Sequence, residues 1–217
     1  MKKKERVRII ESRLDELYPN PDIPLWHFNE FSLLIAVLLS AQSTDKKVNE
    51  LTPNLFNSRK TAKDIYEMGQ NNIYECIKQL GLAKTKARNI YNLSRILMKS
   101  FNNQVPSSFE ELESLPGVGH KTASVVMAQA FGIEAFPVDT HIYRLAQRWG
   151  LSEGINVKRT ENDLKKLFLK SKWNKLHLQF IYYGREFCTA RGCNGTTCEL
   201  CKMLFPKRTK PIKTNKP

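Results

Sequence analysis

The sequence predicts an all-α fold, and three observations carry that expectation. Apolar residues recur at intervals of three and four along most of the chain, while no segment alternates with period two long enough to argue a sheet. Turn-rich strings such as Tyr18-Pro-Asn-Pro-Asp-Ile-Pro24 and Leu115-Pro-Gly-Val-Gly119 separate the apolar stretches. A length of 217 residues with 41% hydrophobic content supports a sizeable core and falls between one and two ordinary domains. A compact body with an appended lobe is therefore expected.

Each helix has its own justification. Val7, Ile10, Leu14 and Leu17 fall at helical spacing and predict a first helix, ended by the proline-rich loop after Tyr18. The run Phe31–Leu39 is too long and too Leu-rich for one strand and reads as a helix buried on most sides. Thr44-Asp45 can cap a following helix with Val48, Leu51 and Leu55 inward. Short helices are expected near 61–68 and 71–80. A longer one runs from about Lys84 to Phe101, with Ala87, Ile90, Leu93 and Leu97 on one face. Ser107 and Ser108 before Glu110 and Glu111 mark another helix start. Pro116, Gly117 and Gly119 break that helix and open the next, a small apolar run from Thr122 to Phe131 that Gly132 can end. Pro137-Val138-Asp139-Thr140 starts a further helix with Ile142, Leu145 and Trp149 inward, closed by Gly150. Helices near 158–170 and 173–186 precede a cluster of cysteines. The tail Lys202–Pro217 carries six Lys and Arg residues and no acid, and is expected to be disordered after about Pro206.

Composition narrows the function. Thirty-five Lys and Arg against 21 Asp and Glu leave a net charge of +14, which has no folding purpose and points to a polyanionic partner, nucleic acid or an anionic membrane surface. The longest apolar stretch, Phe31–Leu39, is far short of the ~20 residues of a membrane span. The basic start Met1-Lys-Lys-Lys is not followed by an unbroken apolar segment, so no signal peptide is read and a cytoplasmic location is expected. Five cysteines, an odd number, argue against a disulfide framework in such a compartment. Four of them, Cys188, Cys193, Cys198 and Cys201, fall in a 14-residue window, and metal binding is the leading explanation. Cys76 stands apart and reads as a core residue.

Leu115-Pro-Gly-Val-Gly119 is the strongest local signal. Gly117 and Gly119 let the backbone approach a ligand closely, and the next helix, beginning near His120, offers unpaired N–H groups and a positive dipole end. Together with Val118 they make an anion site suited to a DNA phosphate; an ordinary helix–turn–helix connection is the alternative. Gly81–Ala87 echoes Gly117–Ala123 at an offset of 36 residues, either as a second loop for the same partner or as a chance likeness of helical hairpins.

The string Leu115-Pro-Gly-Val-Gly-His-Lys-Thr-Ala123, then Val138-Asp-Thr-His141, then the cysteine cluster, resembles the helix-hairpin-helix DNA glycosylases, most closely the endonuclease III family. Leu33–Asp45 resembles that family's core helix and following loop, and residues from about 5 to 201 keep the family's order without a large gap.

The resemblance implies a set of roles. Lys121, two residues beyond the hairpin, resembles the lyase nucleophile, an amine that in its neutral form attacks C1′ of a deoxyribose and forms a Schiff base. A phosphate-binding or solvated lysine is the plainer reading. Asp139, 18 residues on, is implied to stabilise positive charge on the sugar and assist proton transfer; it can also cap the following helix. His141 is expected to be structural. Because a base must leave the stack before reaction, something must fill the gap. Gln42 resembles the family's gap-filling residue and Leu82 its apolar wedge, against helix capping and core packing respectively. Asp45 resembles either a base-pocket residue or a cap. His120 and Arg191 are further DNA-contact candidates.

The cysteines depart from the family. Their spacing is C-x4-C-x4-C-x2-C rather than C-x6-C-x2-C-x5-C. A [4Fe–4S] cluster is implied, with zinc or no metal as alternatives, and its role is to hold a basic loop with Arg185 and Arg191.

The expected organisation is two-lobed. Residues 23–133 form a helical bundle with the hairpin, 1–22 and 134–206 form a second lobe with the cluster loop, and 207–217 form the tail. DNA is expected in a cleft between the lobes, with Lys121 and Asp139 at its mouth. The implied function is excision of oxidised pyrimidines from duplex DNA, with strand cleavage by β-elimination, in base-excision repair. The substrate is double-stranded DNA with an oxidised pyrimidine or abasic site. A monomer suffices, with no membrane partner, and with nucleoid association if the source is bacterial. A glycosylase for another base and a non-catalytic DNA-binding module are the rivals.

Overall fold

The computed structural model describes residues 1–217 and is helical throughout, with no β-strand. It divides into two compact units, one of residues 24–133 and one joining 1–23 to 134–217.

The chain begins in the second of these with α1 (Lys3–Leu17), which buries Val7, Ile10 and Leu14 on one face. The 24–133 unit follows. Its centre is α2 (Glu30–Ser40), in which every residue from Phe31 to Leu39 is buried. Burial on all sides explains why this run lacks an amphipathic pattern. Asn29 and Ser32 close its N-terminus with a reciprocal pair of side-chain-to-backbone bonds. Around it stand α3 (Asp45–Phe56), α6 (Ala83–Ser100) and α8 (His120–Ala130). The short helices α4 (Ala62–Met68) and α5 (Gln70–Ile77) pack against α6, and α7 (Phe109–Ser114) packs against α8. Thr44, Thr61 and Ser108 each cap a helix through the side-chain oxygen.

The other unit resumes with α9 (Thr140–Arg148) and α10 (Val157–Leu167), then a single 3-10 turn at Lys170–Lys172 and α11 (Trp173–Glu186). Helix α11 packs against α9 and α1. Gly184 permits this: a Cβ there would lie 3.0 Å from the Cβ of His141. Trp149, Phe180 and Tyr183 form the aromatic centre, with ring centroids 4.9 and 5.5 Å from Trp149. A six-residue helix not expected from the sequence, α12 (Glu199–Leu204), follows the third of the clustered cysteines and buries Leu200, Cys201 and Leu204.

The tail differs from expectation. Its backbone and side chains bond to the unit rather than running free after Pro206. The Arg208 guanidinium donates to the carbonyls of Arg148 (2.7 Å) and Gly195 (3.1 Å) and lies 3.5 Å from the Phe205 ring centre. The Ile212 amide donates to Asn194 O at 2.9 Å, and Asn215 pairs with Gln147 and with Gly154 O. Loop carbonyls that would otherwise lack donors supply the anchor that composition does not reveal. Cys76, expected in the core, is only half-buried.

Candidate nucleic-acid interface and metal centre

The hairpin between α7 and α8 is built on a glycine whose backbone conformation and surroundings both disfavour a side chain. Gly117 has φ +81°, and a Cβ there would meet Asn89 of α6 at 2.6 Å. Strain and clash act together. Val118 is buried and its amide donates to Leu115 O at 3.1 Å, closing the turn. Gly119 is the N-cap of α8, and no side chain bonds to the helix start. A Cβ at Gly119 would meet nothing within 4 Å. No side chain caps the first-turn amides of this 11-residue helix, and the positive dipole end lies behind them. His120 starts α8 with its ring stacked on Phe109 and its Nδ1 2.8 Å from Glu113 Oε1. Lys121, in the same first turn, is exposed.

Two more exposed turns belong to this unit. Gln42 follows the end of α2 with φ +54°, and Leu82 precedes α6 with φ +60°. Leu82 is 57% exposed, so it is not a core residue. Gln42 is exposed beyond the C-cap Ala41 and does not cap the helix. A Cβ on Gly81 would lie 3.5 Å from Gln42 O, so the two turns are neighbours. The echo between Gly81–Ala87 and Gly117–Ala123 does not extend to the backbone. The left-handed residue is Leu82 in one turn and Gly117 in the other, one place out of register. Asp45 is the first residue of α3, with Thr44 as its cap.

Asp139 lies in the other unit, as the N-cap of α9. Its Oδ1 accepts from the Ile142 amide at 2.8 Å. The cap fixes the direction of the carboxylate. Upstream, buried His177 bonds through Nδ1 to Pro137 O at 2.9 Å and anchors the approach to Asp139. His141 accepts from Arg144 Nη2 at 3.2 Å, and burial above all lowers its pKa below the ordinary histidine value. Its place is structural.

The four clustered cysteines converge. All are buried, and their sulfurs lie within 4.8 Å of one another. Cys188 and Cys201 are 3.8 Å apart, Cys193 and Cys201 3.9 Å. Hydrogen bonds from the Cys188 and Cys201 thiols pull Cys198 strongly toward the thiolate. Two arginines that the sequence reading missed hold the start of the loop. Arg148, 3% exposed, donates to Cys188 Sγ (3.3 Å) and to the carbonyls of Cys188, Thr189 and Ala190. Arg144 donates to Gly184 O at 2.8 Å and to Cys188 O. The signal was present: both occupy the inward face of α9 beside Leu145 and Trp149. Tyr183 Oη accepts from the Leu200 amide at 3.1 Å and ties α12 to α11. Arg185 and Arg191 remain at the surface near this loop. Four buried soft thiol donors this close together form a group that can hold a metal.

Comparison with known proteins places these features. Residues 35–170 match the model of the HhH-GPD superfamily base excision DNA repair proteins. The chain is 39% identical to endonuclease III of Buchnera aphidicola subsp. Schizaphis graminum over 96% of its own length and all of that protein. It is 42% identical to endonuclease III of Treponema pallidum over 90% of its length and 94% of that protein. Among solved structures, a trapped endonuclease III–DNA covalent intermediate superposes with a TM-score of 0.86 at 38% identity, covering 92% of this chain and 94% of that one.

Proposed function

This chain belongs to the HhH-GPD superfamily of base excision DNA repair proteins, and from that membership we propose that it acts as an endonuclease III: a bifunctional DNA glycosylase and AP lyase that removes oxidised pyrimidines from duplex DNA. The observation that carries the reading is the exposed Lys121 in the first turn of a helix whose N-terminus has no side-chain cap. The hairpin amides of Gly119 and His120, at the uncapped start of α8, bind a backbone phosphate, which brings the sugar to the lysine without reading sequence. The base is extruded, Gln42 fills the gap and Leu82 wedges the stack.

Chemistry then follows at one carbon. The neutral Lys121 Nζ attacks C1′; the C1′–N bond breaks, and the base leaves with its electron pair and is protonated. The Nζ proton is lost and the sugar ring opens to a Schiff base. Removal of a C2′ proton expels the 3′ phosphate by β-elimination. Water then hydrolyses the Schiff base and frees the lysine. The Asp139 carboxylate stabilises the cationic sugar and assists the proton transfers. A related endonuclease III forms a trapped covalent intermediate with DNA, which agrees with an amine nucleophile. Borohydride reduction during incubation with an oxidised pyrimidine or abasic duplex tests the assignment. A protein–DNA adduct is expected in the wild type. An adduct that persists in Lys121→Ala sinks the role.

At the cysteine centre, Cys188, Cys193, Cys198 and Cys201 fit a [4Fe–4S] cluster as a buried four-thiolate set, the group that family membership implies. When bound it supplies rigidity rather than a reaction step. Arg148 and Arg144 carry the loop that presents Arg191 to phosphate. Zinc is the second reading: buried thiols with a C-x2-C pair suit it, and the four sulfurs, 3.3 Å apart at Cys188–Cys193 and all within 4.8 Å, converge on one point. Iron and zinc assay with visible absorbance of anaerobically purified protein separates the two: a colourless, iron-free protein with one zinc rejects the cluster. The substrate carries no membrane component, and no helix is long and apolar enough to cross one. A cytoplasmic monomer meets all these requirements.

A further inference from the structure

Lys86 is 4% exposed, yet it is a lysine on the first turn and a half of α6. It stands in register with the apolar stripe of Ile90, Leu93 and Leu97. A buried ammonium is costly unless it is bonded. Its Nζ donates to Leu39 O at 2.9 Å and to Ser43 Oγ at 2.9 Å. Leu39 lies in the last turn of α2, where carbonyls lack intrahelical donors and the dipole end is negative. Leu39 and Ser43 also flank the turn that carries Gln42. That turn is narrow: the Ser43 amide donates to Ser40 O at 3.1 Å, and Gln42 takes the left-handed conformation.

The backbone of the same residue reaches the other turn. The Lys86 amide donates to Leu82 O at 2.9 Å, the first bond of α6, which fixes a left-handed leucine with 57% of its surface exposed. One residue thus grips the Gln42 turn with its side chain and the Leu82 turn with its main chain. A methionine or leucine would fill the same volume more cheaply, so packing alone does not explain the charge.

We propose that Lys86 is a positioning residue that couples the Gln42 and Leu82 turns, so that both enter the duplex as one unit when a base is extruded. The inference rests on the reading of those two turns as the elements that enter DNA. Coupling is needed for extraction of a paired base. It is not needed for elimination at an abasic site in single-stranded DNA, where there is no stack to open.

The test is the ratio of two activities: base removal from a duplex containing an oxidised pyrimidine, and strand cleavage at an abasic site in single-stranded DNA. Lys86→Met keeps the aliphatic stem and removes the donors. Its ratio is expected to fall by about tenfold, since sub-ångström misplacement alone carries losses of that order, with the loss in kcat rather than KM. Unstacking reported by 2-aminopurine beside the lesion falls in parallel, and Lys86→Arg recovers most of both. The double variant Lys86→Met/Gln42→Ala is no worse than Gln42→Ala alone, because Lys86 acts through that turn. Ser43→Ala removes one acceptor from a half-buried position and carries the same expectation at smaller size should Lys86→Met not fold. Equal loss of both activities, an unchanged ratio, or additive loss in the double variant overturns the coupling. If Gln42→Ala and Leu82→Ala themselves leave the ratio unchanged, the reading of the two turns fails instead.

Discussion

The N-termini of α8 and α9 meet the same requirement in opposite ways. Both helices begin with amides that have no intrahelical acceptor. At α9 the Asp139 carboxylate accepts from the Ile142 amide at 2.8 Å and closes the end. At α8 the N-cap is Gly119, no side chain reaches back, and the end stays open. A closed end orients the group that closes it. An open end keeps its donors for an anion from outside. The proposed roles follow from which end is self-satisfied: the first holds a carboxylate in place, the second is left open to the phosphate proposed for it.

Substitutions can break that division, beginning with the largest effect. Lys121→Ala removes the amine beside the open end and is expected to abolish the borohydride-trapped adduct while duplex affinity changes by less than about threefold, since the amides that bind phosphate remain. At the closed end, Asp139→Asn and Asp139→Ala separate charge from cap. The amide oxygen of Asn still caps, so stability should change by less than ~0.5 kcal/mol, while Ala costs about 1 kcal/mol. Both should slow base removal by roughly 10²-fold or more. Equal activity of Asn and wild type would leave the carboxylate with its capping role alone.

Gly119→Asp makes the open end resemble the closed one. It is expected to leave stability within a few tenths of a kcal/mol or raise it slightly. It should weaken duplex binding by about tenfold, because a fixed carboxylate competes with phosphate for the same amides. Titration of binding against salt reads the change, with a shallower slope in the variant. The smallest effect is one of pH. Burial lowers the His141 pKa, so the unfolded chain binds that proton more readily. Stability contributed by neutral His141 is present above the unfolded value of ~6.5 and is lost as pH falls below it. Denaturant midpoints of wild type and His141→Gln should diverge above pH 7 and converge toward pH 5.

Much of this was legible in the sequence, for identifiable reasons. Stripes such as Ala87, Ile90, Leu93 and Leu97 and caps such as Thr44 and Ser108 place helices through local rules. The hairpin was legible because two glycines in five residues have few other uses, and the structure adds the reason for one of them, the Asn89 side chain beside Gly117. The convergence of the cysteines was expected from their number within a short window. Other features lie outside what one sequence displays. Helix α12 is six residues long, and its buried Cys201 belongs at once to a helix face and to the metal centre. The tail is anchored through backbone carbonyls such as Arg148 O and Gly195 O, which every residue type possesses. Arg144, Arg148 and Lys86 are buried cations whose acceptors include main-chain oxygens 40 or more residues away. A charge on an inward stripe announces that such a partner exists without saying which one.

The placement of α1 has a consequence for synthesis. Residues 1–23 complete a unit whose other members begin at 134, so the first helix leaves the ribosome long before α11, against which it packs. At ~5–20 residues per second the wait is on the order of ten seconds. Over that interval Val7, Ile10 and Leu14 have no native cover, while residues 24–133 hold every segment their own core requires. The nascent chain therefore acquires its hairpin before its four clustered cysteines are made, and a basic, amphipathic first helix keeps the waiting segment soluble. Maturation of the metal centre is a late event, timed by the last helix to emerge.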